Sequence, residues 1–218
     1  MLRGLFVTGT DTGVGKTVAA AALLHRYRSR LPLTYWKPIQ TGIEQDDDTA
    51  TVARLAACDP HELLTAGVRL ERPVSPHLAA RLSGRPIDIE ALVARVLIEP
   101  ASSRWIVEGA GGVLVPLGPR HDMLDVPKRL ALPVALVVGV RLGCLSHALS
   151  AELAVRMRGL RLAGWIATRI DPAMAQADAS VAALRERLPA PLLADLAGVG
   201  TPFPREALRL AGLPGGTC

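Results

Sequence analysis

Aromatic side chains are scarce in this sequence: phenylalanine, tyrosine and tryptophan together make up 3% of its 218 residues. The core must therefore be built from alanine, leucine and valine. The same scarcity works against a nucleic-acid surface. Net charge is +5, but the arginines are scattered and lack aromatic neighbours on which bases would stack. A solvated basic surface is expected, with no nucleic-acid partner. Cysteine is also sparse. Cys58, Cys144 and Cys218 show no paired spacing, which suits a reducing compartment and excludes a zinc knuckle. The five histidines have no metal-ligand spacing either. Long apolar runs are missing. The best candidate, Leu130 to Val140, is broken by Pro133 and followed by Arg141, well short of the roughly 18 residues a membrane helix needs. No membrane partner is expected, and the absence of a leader-like N-terminus points to a cytoplasmic location. Lysine is rarer than arginine by 3 to 22, and the three are Lys16, Lys37 and Lys128. A chain that otherwise uses arginine keeps lysine where a compact point charge, rather than a planar fork, would matter.

What the sequence does contain is organised around Gly9-Thr-Asp-Thr-Gly-Val-Gly-Lys-Thr17. The stretch lies between the apolar run Leu5-Phe-Val7 and an alanine-rich helical pattern. A buried strand, a glycine-rich turn and a helix N-terminus in that order form an anion site, because backbone N–H groups and the helix dipole converge on phosphate oxygens. Gly13, Val14, Gly15, Lys16, Thr17 and Val18 are thus expected to bind nucleotide. Lys16 would reach the β- and γ-phosphates, and the Thr17 hydroxyl would ligate Mg²⁺. The common P-loop pattern places four residues between its first glycine and Gly-Lys-Thr. Here Thr10 to Val14 makes five, so either the loop is lengthened or its first position is Thr10.

The rest of the chain alternates strand and helix patterns. Strands are expected at Leu2–Thr8, Leu33–Trp36, Arg104–Glu108, Pro133–Gly139, Leu160–Ala167 and Pro191–Leu196. Helices are expected at Thr17–Arg30, Thr49–Ala57, Ile87–Ile98, Ser146–Arg158 and Ala173–Leu188. The glycine run 109–112 reads as a break in the third of these strands, and residues 59–86 carry weak signals. The pattern predicts an α/β fold in a single P-loop domain over 1–218, its mostly parallel sheet flanked by helices on both faces.

Ligands of open parallel sheets bind beyond the carboxyl ends of the strands. Those ends deliver the P-loop, Lys37 and Thr41, Glu108 with Gly109 to Gly112, and Thr168 with Arg169. Glu108 stands where the second metal-organising carboxylate of a P-loop enzyme belongs. Asp48 precedes a helix, where an aspartate also serves as an N-cap, so a metal role and a capping role are both open, and Asp46 or Asp47 could substitute. His77, after Ser75-Pro76, reads as a loop histidine. Cys144 and His147 read as a helix start rather than a nucleophile pair.

Five of these motifs, in this order, resemble one family. Thr8-Gly-Thr-Asp-Thr-Gly-Val-Gly-Lys-Thr17, Lys37-Pro-Ile-Gln-Thr-Gly42, Ser75-Pro-His77, Val107-Glu-Gly-Ala-Gly-Gly112 and Val138-Gly-Val-Arg-Leu-Gly-Cys144 together are similar to dethiobiotin synthetases. The similarity continues through Leu162-Ala-Gly-Trp165 to Ala190-Pro-Leu-Leu193. It implies ATP as co-substrate, Mg²⁺, and two small substrates, 7,8-diaminononanoate and CO₂, joined through a carbamate and a carbamic–phosphoric anhydride. Lys37, Lys16 and Thr12 would be catalytic, and Thr12, Lys37 and Thr41 would bind the diamine or carbamate. Thr17, Asp48 and Glu108 would hold Mg²⁺, while Glu108, Gly109, Ala110, Gly111 and Thr168 would complete the nucleotide site. The resemblance also implies a homodimer, with the 141–147 segment reaching the other subunit.

Three positions depart from the family pattern. Gly13 replaces a frequent glutamate. Thr168-Arg169 replaces an Asn-Asp pair whose asparagine reads the adenine edge, and Ala197-Gly-Val199 replaces a Pro-aromatic-Leu element beside the base. Threonine lacks the paired donor and acceptor of asparagine, so relaxed or altered base preference is expected. Two other readings remain: a related ATP-dependent amide ligase, and a partitioning-type switch ATPase.

Overall fold

The computed structural model describes residues 3–98 and 104–197. Its centre is strand β1 (Arg3–Gly9), which becomes fully buried toward its carboxyl end. Around it lie β2 (Leu33–Trp36), β4 (Leu63–Leu64), β6 (Arg104–Gly112), β7 (Val134–Gly139), β8 (Leu162–Arg169) and β9 (Leu192–Ala197). Among the described residues these seven strands form one sheet in the order β4-β2-β6-β1-β7-β8-β9. Every pairing in it is parallel. Parallel neighbours require crossovers, and the helices that make them cover both faces.

On one face, α1 (Lys16–Tyr27) and α2 (Asp48–Ala56) pack on Val7, Ile106, Val137 and Ile166. On the other, α4 (Ile89–Leu97) and α5 (Asp125–Leu130) cover Phe6, Trp105 and Val107. Beside them, α6 (Cys144–Met157) and α7 (Ala177–Arg187) cover Leu136, Val138 and Trp165. The run Ala19 to Leu24 is buried on every side. Alanine makes this possible, since four small side chains let α1 approach the sheet closely without leaving voids. The expected α/β architecture is the one observed.

Two expectations change. The glycine run after Glu108 does not break the strand, because β6 continues to Gly112 and pairs there with Gly9. The missing side chain is what allows it: a Cβ on Gly109 would stand 2.9 Å from the Phe6 ring and 3.1 Å from Met123. His77 is helical rather than in a loop, for Pro76 opens a short helix, α3 (Pro76–Leu82), as proline readily does at a first helical position. The strands β3 (Ile39–Thr41) and β5 (Val68–Leu70), which pair with each other, were not expected, nor were β4, α3 and α5. Strands of two or three residues are too short for alternation to stand out from chance, and α5 carries Pro127 in its first turn.

The three aspartates before α2 separate cleanly. Asp47 is the N-cap, its carboxylate accepting from the N–H groups of Thr49 at 2.9 Å and Ala50 at 3.1 Å. Asp48, one residue on, is thereby turned to the opposite side, toward Thr17. Replacing Asp47 by Ala should lower stability by about 1 kcal/mol in denaturant unfolding. An unchanged midpoint would show that the cap contributes nothing.

Candidate active site

Strand β1 ends at Gly9, which pairs with Gly112 on one side and Val137 on the other. The N–H of Thr10 still donates to Val137 O at 2.9 Å. The loop proper is therefore Thr10 to Gly15, with Thr10 in its first position, and Gly9 belongs to the strand. A Cβ on Gly9 would lie 2.6 Å from Val14 Cγ2, so glycine lets the loop fold back over the strand end. Gly13 (φ 72°) and Gly15 (φ 82°) occupy the left-handed region, the conformation for which glycine is suited. Gly15 caps α1 without a side chain, leaving the first N–H groups of the helix free to face an anion.

Lys16 and Thr17 open that helix. The Lys16 ammonium donates to Asp11 O at 2.8 Å and is only 7% exposed. Burial, reinforced by the nearby positive charge of Lys37, lowers its pKa to about 8. The Thr17 hydroxyl lies 2.8 Å from Asp48 Oδ1 and 3.0 Å from Glu108 Oε1. Glu108 comes from β6 and is fully buried.

Lys37, 3% exposed, follows β2 and points into the same cluster. Its ammonium donates to Glu108 Oε1 at 2.7 Å, forms an ion pair with Asp48 and reaches Gly109 O at 3.4 Å. Burial disfavours its charge, but the carboxylates of Glu108 and Asp48 outweigh that effect and hold its pKa above the ordinary value. Asp48 mirrors this behaviour: burial pushes its carboxyl up, while Lys37 and the Thr17 hydroxyl bring it below the usual range. Behind Glu108, the Tyr35 hydroxyl donates to Oε2 at 2.9 Å.

These groups line a cleft of about 380 Å³, within the ordinary range for small-molecule sites. Thr12, Gly13 and Gly15 form its loop side; Gln40, Thr41 and Thr51 face it from the β3 and α2 side; Ala110 and Gly111 complete its rim. Among the described residues no group of three or more His, Cys, Asp and Glu side chains gathers as a metal cage. Thr17, Asp48 and Glu108 instead present one hydroxyl and two carboxylates, a hard-oxygen set that suits Mg²⁺ completing its coordination with phosphate and water. The Lys37 ammonium already draws both carboxylates to one cation.

A family model described as an AAA domain matches residues 3–198. The ATP-dependent dethiobiotin synthetase of Aromatoleum aromaticum is 43% identical over 224 residues, covering 98% of both chains. The chain belongs to the dethiobiotin synthetase family. Solved structures resemble it in fold alone. The signal recognition particle receptor FtsY of Elizabethkingia anophelis matches with a TM-score of 0.56 at 15% identity, over 97% of this chain and 63% of that one. A plasmid partition protein of Borrelia burgdorferi, solved with AMPPNP, gives 0.56 at 11% identity over 91% and 88%. Likeness to a partitioning ATPase at that level concerns the sheet and loop, whereas the match to a dethiobiotin synthetase runs the full length.

Of the residues expected at the nucleotide, Val14, Gly109 and Thr168 do not line the cleft. Val14 turns its side chain into the core. The Thr168 hydroxyl donates to Val14 O at 2.6 Å and lies 3.1 Å from Val138 O, and its methyl would be 3.2 Å from a Cβ on Gly15. Thr168 thus braces the loop from beneath. Of the Ala197-Gly-Val199 element, residues 198 and 199 lie outside the described residues. Cys144 does open α6, with Gly143 as its cap.

Two participants were not foreseen, and Arg141, expected to reach the other subunit, meets the loop of its own chain. Tyr35 and Gln40 sit inside short apolar strands, where only their polarity sets them apart. Arg141 meets the Asp11 carboxylate at 2.6 Å while the other Asp11 oxygen accepts from Thr12 N–H at 2.7 Å, fixing the loop tip to the end of β7 across 130 residues of sequence.

The lowered Lys16 pKa has a measurable consequence. Its folded value lies below the ordinary lysine value, so raising the pH through about 8 removes a proton that an exposed lysine would keep. Phosphate oxygens favour the charged form. Nucleotide binding near that pH should therefore take up a proton, and affinity should weaken as the pH rises further. Calorimetric titration with ADP in buffers of different ionisation enthalpy reads the uptake directly. A proton count of zero from about pH 7 to 9 would mean that Lys16 stays charged without phosphate.

Proposed function

We propose that the chain makes dethiobiotin from 7,8-diaminononanoate, CO₂ and ATP, releasing ADP and phosphate. The observation that carries this reading is the arrival of Lys37, from a different strand, at the same cluster as P-loop Thr17 and strand-end Glu108. A P-loop alone binds phosphate. A second buried lysine beside it supplies charge for an anionic nucleophile.

One substrate amine combines with CO₂ to give a carbamate. A carbamate oxygen attacks the γ-phosphorus of ATP, the bond to the β–γ bridging oxygen breaks, and ADP leaves. The neighbouring amine then attacks the carbonyl carbon of the mixed anhydride, expelling phosphate and closing the cyclic urea. In this scheme the loop N–H groups and Lys16 hold the phosphates, and Lys37 offsets negative charge where carbamate and phosphoryl oxygens approach. Thr12 and Thr41 accept and donate hydrogen bonds to the diamine or carbamate. Positioning and charge stabilisation are the main demands of phosphoryl transfer. Thr17, Asp48 and Glu108 would hold Mg²⁺, which when bound neutralises phosphate charge and polarises the transferred group.

The resemblance implies a homodimer, and the surface supports that reading. Leu142 is 90% exposed, and Leu153 and Met157 lie exposed along the helix that follows it, an apolar stripe of the kind that a second subunit covers. Among the described residues no helix is long and apolar enough to cross a membrane. We also read the chain as one domain, since the strands of the main sheet and the small β3–β5 pair converge on the same cleft.

Phosphate release should depend on both diamine and bicarbonate, and release that ignores them would overturn the reading. The same assay with ATP, GTP and CTP should give comparable turnover, because the Thr168 hydroxyl is committed to Val14 and Val138. Strict ATP dependence would show that the base is read elsewhere. Replacing Lys37 by Met should lower turnover by about 10²- to 10³-fold with ADP binding largely retained, as measured by steady-state kinetics and calorimetry. Full activity would remove Lys37 from the chemistry.

A further inference from the structure

We propose that Tyr35 is a positioning residue for the metal site: its hydroxyl anchors Glu108 from behind so that the opposite carboxylate oxygen faces the cleft in one fixed direction. The inference rests on reading Glu108 as a metal-holding carboxylate.

The two oxygens of Glu108 have different tasks. Oε1 faces the cluster, 2.7 Å from the Lys37 ammonium and 3.0 Å from the Thr17 hydroxyl. Oε2 faces away and accepts from Tyr35 at 2.9 Å. Glu108 is fully buried, so bulk water does not reach either oxygen, and an ionised carboxylate in that position needs donors from the protein. A hydrogen bond to one oxygen restrains rotation of the carboxylate and so favours one direction for the other oxygen. Tyr35 is itself immobile. It is fully buried and belongs to the cluster that includes Leu24, Leu33, Val52 and Ile106, packed between β2, α1 and α2. Packing alone would be served as well by phenylalanine. The hydroxyl is the unexplained atom, and its partner is the carboxylate. Facing an acceptor-only carboxylate at 2.9 Å, the phenol hydroxyl acts as the donor.

Outer partners of this kind typically change metal affinity by about 10- to 100-fold when removed. The test is Tyr35→Phe, measured beside Glu108→Gln, with Mg²⁺ titrated calorimetrically in the presence of ADP and with turnover followed as a function of Mg²⁺. For Tyr35→Phe the apparent Mg²⁺ affinity should fall about 10-fold, while kcat recovers at excess Mg²⁺ and the KM for diamine stays unchanged. Unaltered Mg²⁺ dependence in this variant, with a shift in Glu108→Gln, overturns the proposal. No shift in either variant overturns instead the reading of Glu108 as a metal-holding residue. A loss of kcat that excess Mg²⁺ does not restore also counts against positioning. Should Tyr35→Phe fold poorly, the intact enzyme offers a second reading. The sequence has two tyrosines, so fluorotyrosine labelling gives two ¹⁹F resonances, assignable with Tyr27→Phe. The Tyr35 resonance should move when Mg²⁺ is added to the ADP complex, and a resonance that stays in place overturns the proposal.

Discussion

The structure depends on a balance of buried charge. Lys37 and Glu108 are almost wholly withdrawn from water, and Asp48 and Lys16 are nearly so. None of the four could be left alone there, since removing one partner of a buried ion pair typically costs about 3–5 kcal/mol. Their order in sequence is 16, 37, 48 and 108, so the balance exists only once α1, β2, α2 and β6 are assembled. Core packing by alanine and leucine supplies the general drive to fold, but it is tolerant of small shifts. The charge cluster is not, because an error of an ångström exchanges a hydrogen bond for an exposed or unpaired ion. Assembly and function are therefore tied to the same atoms.

That cluster also explains the division of labour among the lysines. Lys16 is buried against a backbone carbonyl and a second cation, and its pKa falls. Lys37 is buried against two carboxylates, and its pKa rises. Two identical side chains within one cleft are pushed in opposite directions by their neighbours. One gains its charge most readily beside an incoming polyanion; the other keeps its charge through the protein's own carboxylates. A guanidinium would serve neither place well, being planar and too broad to sit between Asp48, Glu108 and Gly109 O. The rarity of lysine elsewhere in an arginine-rich chain is consistent with that constraint.

Much of this was legible in the sequence, and the reasons differ by residue. The P-loop, Lys37 and Glu108 could be located because each follows a continuous apolar strand, and strand ends in a parallel sheet share one edge. Asp48 could not be separated from Asp46 and Asp47, since all three precede a helix; only the cap geometry of Asp47 decides which carboxylate turns inward. Tyr35 was hidden by the opposite circumstance. It reads as an ordinary hydrophobic position of β2, and nothing local reveals that a carboxylate 73 residues away lies at its hydroxyl. The β3–β5 pair and α3 were missed because such short elements are set by tertiary contacts rather than by periodicity. The apparent extra residue of the loop vanished once Gly9 proved to be part of β1, a boundary that a glycine-rich sequence leaves undefined.

Thr168 shows how a strand-end side chain can be spent on the frame of the site. Its hydroxyl supports Val14 O, and its methyl fills the space under Gly15. A larger amide at that point would have to turn elsewhere, toward the mouth of the cleft, because the room beneath a left-handed glycine is too small to hold it. Threonine therefore makes the loop more rigid and gives up reach. Beside it, Arg169 is held by Asp195 and Asp178 on the edge of the sheet. Both residues are thus directed to the protein's own frame. The phosphate half of the cleft is built from backbone N–H groups and buried charges that tolerate no such exchange, whereas the end of β8 can be rebuilt as scaffold.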